Sequence, residues 1–169
     1  MIGICRLYEI KAEQKVSHII PKFAYEHTKK TGSRFLRGFA NPNIRMQDGP
    51  KKYLLCQEAE TEFSKRETWF TNNIFYPYLA GDKKHLKYDN NLFYFTVSML
   101  WRVLIDQIED PNIQCEPYLA RLKEVALDWQ RFLRGEKELP ANRKVYIYLT
   151  GRVAHHNIDS DEVDYYMTK

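Results

Sequence analysis

A chain of 169 residues with 44% apolar and 14% aromatic side chains can bury a true core, as one domain or as two small, closely packed ones, and is excluded from the disordered class. Its formal net charge of +4 permits a polyanionic partner without requiring one. Cys5, Cys56 and Cys115 are too few, and odd in number, for a disulfide framework.

The start lacks a basic stretch followed by an apolar run, so no signal peptide is expected. The most apolar run, Leu92 to Ile105, is interrupted by Arg102 and falls short of the ~20 residues that span a bilayer. A cytoplasmic protein without a membrane partner is the expectation.

In chain order, the residues to about Tyr8 read as a short strand or a knuckle, and Lys15 to Ile20 as a second strand. Pro21 presets the backbone of a helix start, and a short helix over Lys22 to Lys30 ends at Gly32. Strands over Phe35 to Phe39 and Lys52 to Cys56 surround the turn residues Asn41-Pro42-Asn43 and Asp48-Gly49-Pro50. A helix from about Gln57 to Tyr76 carries Phe63, Phe70 and Ile74 at helical spacing, with Glu60 and Glu67 on or beside the same face. Beyond Pro77, the polar, turn-rich stretch Gly81 to Asn91 marks a boundary. Leu92 to about Ile108 is apolar nearly all round and should be the central core helix. A further helix from Glu116 to Arg134, with Pro117 in its first turn and Gly135 past its end, has a stripe of Tyr118, Leu122, Val125, Trp129 and Phe132 that should be core. Lys144 to Thr150 alternates as a strand.

Charge is unevenly spread. Between Lys22 and Lys52 stand eight basic residues against Glu26 and Asp48, a net charge of +6, while the tail after Ile158 holds Asp159, Asp161, Glu162 and Asp164. The basic block is either a solvated face or a phosphate-contact surface, since lysines and arginines that neutralise phosphates release counterions. Glu60 and Glu67, beside an apolar stripe, need a partner: a metal ion, an arginine such as Arg102, or water at the rim of the core.

Three motifs carry chemistry. Val16-Ser17-His18-Ile19-Ile20-Pro21 closes an apolar strand with a histidine and a proline. Tyr53-Leu54-Leu55-Cys56-Gln57-Glu58-Ala59-Glu60 leads a strand into a helix, and Cys5-Arg6-Leu7-Tyr8 reads as half of a zinc knuckle. Together, and in this order, they resemble the HNH endonuclease superfamily, whose ββα-metal core sits on a treble-clef zinc scaffold. More narrowly they are similar to uncharacterised bacterial proteins in which "SHIIPKF" and "LLC-x-x-CE" recur. The resemblance covers about Cys5 to Phe75 and explains nothing beyond it.

The resemblance implies an α+β fold with a small HNH-like ββα/treble-clef part over residues 1–78, packed on a helix-rich part over 79–169 as one unit. It implies a phosphodiesterase, which needs a base to activate water and a cation to take up charge on the phosphate. His18 takes the place of the base; as a plain strand-end histidine it would only cap a carbonyl. Ser17 stands where the family commonly has an aspartate metal ligand, and Glu60 where it has asparagine or histidine, so Mg2+ or Mn2+ is the implied cofactor. Lys22, Lys29, Lys30, Arg34 and Arg37 would grip phosphate. Tyr8 and Ala59 replace the second cysteine of each pair, leaving Cys5 and Cys56 as a degenerate zinc scaffold held by packing without zinc. Cys5 and Cys56 could lie near enough to bond on oxidation, against the reducing cytosol.

Two functions follow. One is a metal-dependent HNH-type nuclease, in a setting of phage defence that the resemblance implies. The other is a catalytically inactive, zinc-finger-like module that binds nucleic acid or a protein partner.

Overall fold

Strand pairing, helix periodicity and a buried aromatic core build a mixed α+β chain in the computed structural model, which describes residues 1–31, 35–37, 41, 43–81, 86–138 and 147. The contacts divide the chain into two units, residues 1–20 with 50–145 and residues 21–49 with 146–169.

The first unit opens with β1 (Ile2–Ile4) and β2 (Lys11–His18), joined by a tight turn over residues 5–10. Glu9 there has a positive φ of 58°, and the turn closes through Cys5 N–H donating to Ile10 O at 2.8 Å and Glu9 N–H donating to Cys5 O at 2.8 Å. β5 (Lys51–Cys56) completes an antiparallel sheet in the order β1-β2-β5. The register runs Gln14 opposite Cys56 to His18 opposite Lys51, with an irregularity between Lys15 and Val16. β2 begins four residues earlier than its sequence predicts, because pairing with β1 (Ile2 with Glu13, Ile4 with Lys11) extends it through residues with no apolar alternation of their own.

β5 runs directly into α2 (Gln57–Phe70). The predicted stripe is real: Phe63, Phe70 and Ile74 are all buried. The predicted single helix to Tyr76 is instead interrupted by a wide π-type turn over Thr71–Phe75 before α3 (Tyr76–Leu79). Pro77 has no N–H to give and its ring crowds the carbonyl one turn back, which a widened turn relieves.

α4 (Asn90–Ile108) starts at Asp89, whose side chain accepts from Asn91 N–H. It buries Phe95, Val97 and Trp101 and is the central helix, as its composition predicts. After a short 3-10 turn over Pro111–Ile113 comes α5 (Leu119–Leu133), three residues later than expected because Glu116 to Tyr118 form a separate turn. Gly135, at φ 72°, follows its end in the left-handed conformation that stops a helix.

Trp101 and Leu133 share one buried cluster with Cys5, Leu7, Leu54 and Phe63. Residues on both sides of position 78 therefore build one core: three short strands have too little apolar area of their own, and α4 and α5 supply the rest. Among the described residues no helix is long and apolar enough to cross a membrane.

The α5 stripe needs correction. Its buried residues are Ala126, Gln130 and Leu133. Trp129 and Phe132 pack partly against the core, but Tyr118 is 49% exposed. Tyr118, Leu122, Val125 and Trp129 line, with Leu100 and Leu104 of α4, an open groove of about 310 Å³.

The second unit holds α1 (Lys22–Thr31) and a two-residue ladder of β3 (Leu36–Arg37) with β4 (Arg45–Met46), the latter with no sequence signal of its own. Tyr25 lies so close over Gly49 that a Cβ there would come within 2.4 Å of its ring and hydroxyl, so any other residue would have to displace the Tyr25 ring. The predicted strand over Lys144 to Thr150 and the acidic tail lie outside the described residues apart from Ile147.

Candidate functional site

The end of β2 and the start of α2 bring most of the predicted residues of the first unit together. Ser17, 1% exposed, donates its hydroxyl to Glu60 Oε1, so two residues 43 apart in sequence meet where α2 crosses the sheet. Glu67, nearly two turns further along α2, has a different partner. Arg102 of α4 donates through Nη2 to Glu67 Oε1 at 2.6 Å and through Nη1 to the carbonyl of His18 at 3.0 Å. Its guanidinium also lies 5.4 Å from the centre of the Phe63 ring. The choice left open for these glutamates is thus a serine for Glu60 and Arg102 for Glu67.

His18 is half-buried at the strand end. It follows Ser17 on extended backbone, where consecutive side chains leave on opposite faces of the sheet. Ser17 pairs across the ladder with Lys52, and His18 with Lys51. Lys52 reaches Asp106 of α4 at 2.5 Å, which places Ser17 and Lys52 on the helix-covered side. That hydrogen bond to Asp106 holds the Lys52 pKa above its usual value. By the same alternation His18 shares the other face with Val16 and Tyr53, which are 50% and 49% exposed.

Ser17 and Glu60 do not make a fit for a dedicated Mg2+ or Mn2+ site. Such ions take about six oxygens and keep several waters, whereas Ser17 is enclosed and its hydroxyl is spent on Glu60. Among the described residues no three of His, Cys, Asp or Glu gather where an ion could sit.

Two of the four knuckle positions, Cys5 and Cys56, meet. Cys56 donates its N–H to Cys5 Sγ at 3.3 Å, and both cysteines are buried. Tyr8 lies close enough to feel the charge of Cys5, Cys56 and Glu58, and with burial as the main cause its pKa is raised. Burial also pushes the Cys56 thiol up, assisted by the Cys5 thiol beside it, while the helix-start amides of Ala59 and Glu58 pull it back. A tetrahedral zinc needs four sulfur or imidazole ligands; with a phenol and a methyl at two positions, the set does not fit one.

Other groups brace the turn instead. Gln130 of α5 donates its amide to Arg6 O at 2.7 Å and Leu7 O at 3.2 Å, Arg6 N–H donates to Leu54 O at 2.9 Å, and Arg134 pairs with Glu9 at 3.1 Å. Sequence reasoning missed Gln130; its signal was a polar residue four after Ala126 on what proves to be the buried face of α5.

The basic residues occupy the second unit. Lys22 pairs with Glu26 at 3.2 Å, Lys29 donates to Gln47 O at 2.9 Å, and Lys30 is exposed on the same helix. Arg37 stands directly across the ladder from Arg45, a basic residue not predicted as a contact, whose guanidinium lies 5.3 Å from the centre of the Phe35 ring. Arg34 lies outside the described residues. Comparison of the chain with protein-family models, with curated proteins and with solved structures finds no match.

Proposed function

We propose that this protein binds nucleic acid through the basic segment 21–49 without cutting it. The observation that carries the proposal is the distribution of charge. Acidic and basic residues balance over the rest of the chain, so the six basic and two acidic residues of 21–49 account for the whole net charge of +4. A segregated cationic segment is the electrostatic footprint of phosphate contact. Binding is favoured over cleavage by the engagement of Glu60 with an enclosed serine and by the alternation that sends His18 to the other side of the strand.

The test is binding of labelled DNA and RNA across a salt series. Changing Lys29, Lys30 and Arg34 together to glutamate should weaken binding and flatten its salt dependence, each lost phosphate contact removing a slope of about 0.7–0.9. Unchanged affinity and slope would return the segment to a solvated face.

Metal-dependent cleavage is the second reading, with His18 as base and Glu60 as ligand. It draws on the order β2, β5, α2 with the histidine ending the first strand. Cleavage of plasmid or RNA with Mg2+ or Mn2+, abolished in His18→Ala with binding intact, would replace the first reading by this one.

A further inference from the structure

We infer that Cys5 and Cys56 form a thiol pair that closes to an intramolecular disulfide when a small-molecule disulfide is supplied. Three observations place them for it. The residues are 51 apart in sequence, yet Cys56 N–H donates to Cys5 Sγ at 3.3 Å. Both side chains are buried in one cluster, Cys5 fully and Cys56 with 5% exposure, so the two thiols share one enclosed site. Cys115, by contrast, is exposed and belongs to no such pair.

The exchange balances without any further reagent. Cys56, the less enclosed of the two, attacks one sulfur of the small disulfide; that S–S bond breaks and one small thiol departs with the Cys56 proton. Cys5 then attacks Cys56 Sγ, the mixed disulfide breaks, and the second small thiol leaves with the Cys5 proton. One small disulfide is reduced to two thiols and the protein pair is oxidised.

The product would tie the β1–β2 turn to the end of β5, the residue before α2, closing into one covalent loop the strand β2, the segment 21–49 and the strand β5. It would hold Glu60, one turn beyond Cys56, in its place against Ser17. A cross-link over so long a loop restricts the unfolded chain more than the folded one, so the oxidised form should melt several degrees higher. The inference does not depend on whether the protein binds nucleic acid.

The test uses the full chain with Cys115→Ser, which removes the exposed thiol, incubated with oxidised glutathione at neutral pH. The intact mass should fall by two hydrogens, a proteolytic digest should contain the peptide of Cys5 linked to that of Cys56, and the melting temperature should rise and return on reduction. In Cys5→Ser, Cys56 should instead stop at a stable glutathione adduct. Two thiols still titratable after unfolding, or an adduct that persists on Cys56 with Cys5 present, would overturn the pairing. Because the mass and peptide measurements need only the Cys115→Ser chain, a poorly folding Cys5→Ser variant leaves the test intact.

Discussion

A guanidinium that is 3% exposed is unfavourable in a core unless its hydrogen bonds are met. Arg102 meets them with the carboxylate of Glu67 and the carbonyl of His18, while its Nε, also buried, finds no partner among the described residues. Two acceptors from different elements converge on one planar fork, so a lysine, with a single point of charge, should not replace it. Arg102→Met should lower stability by about 3 kcal/mol, because it leaves Glu67 and the His18 carbonyl without their donor, and Arg102→Lys should recover little of this. Changing Glu67 to Met as well should restore part of the loss, since an apolar pair needs no partner. Urea unfolding of the three variants checks this; equal stability of Arg102→Met and wild type would show that the clamp contributes nothing. The sequence showed the need for a partner at Glu67 and named Arg102 among the candidates. It could not choose, because the two lie 35 residues apart on helices whose relative rotation is set by packing.

At the scale of elements, the β1–β2 turn and the start of α2 are drawn together without a metal, through the Cys5 sulfur, the Gln130 amide and the Arg6–Leu54 backbone bond. Cys5 lies against Cys56 at the start of α2, Tyr8 stands in the same turn as Cys5, and Ala59 stands in the first turn after Cys56. Replacing Tyr8→Cys and Ala59→Cys together should therefore give a chain that takes up Co2+ or Zn2+ through four thiolates, with the intense sulfur-to-cobalt absorption bands that wild type should lack. No metal uptake by a folded double variant would mean that these positions do not share a centre. The same scale explains the misread helix α5. Its aromatic stripe was legible as a stripe, but which stripe a helix turns inward depends on its neighbour, and here Gln130 turns inward to serve the turn carbonyls. Tyr118 and Leu122 are left along an open groove.

For the whole molecule, several groups that keep their protons more tightly when folded couple stability to alkaline pH. Burial holds Tyr94 well above the ordinary tyrosine value of 10.0, and its hydroxyl donates to Leu133 O at 2.9 Å. Burial likewise raises Tyr8 and Tyr25, and the bond to Asp106 raises Lys52. Each of these groups keeps its proton more tightly when folded. Their contribution is complete below the unfolded pKa values and is lost as pH rises through the folded ones. Stability should thus fall from about pH 10 upward, and Tyr94→Phe should flatten that fall while costing about 1 kcal/mol at neutral pH for its hydrogen bond. Urea midpoints across that range check both, and an unchanged slope in Tyr94→Phe would remove Tyr94 as a cause. By itself the sequence determined what is written locally: most of the strands and helices, the buried Phe63, Phe70 and Ile74 stripe, the centrality of α4 and the stop at Gly135. Side-chain periodicity and backbone preference act over a few residues and need no partner. Only the tertiary structure decided that Glu60 meets Ser17, that Glu67 meets Arg102, that Cys5 lies against Cys56 and that Gln130 closes the turn. Those pairings join residues 35 to 124 positions apart, and they follow from which face each element buries in the shared core.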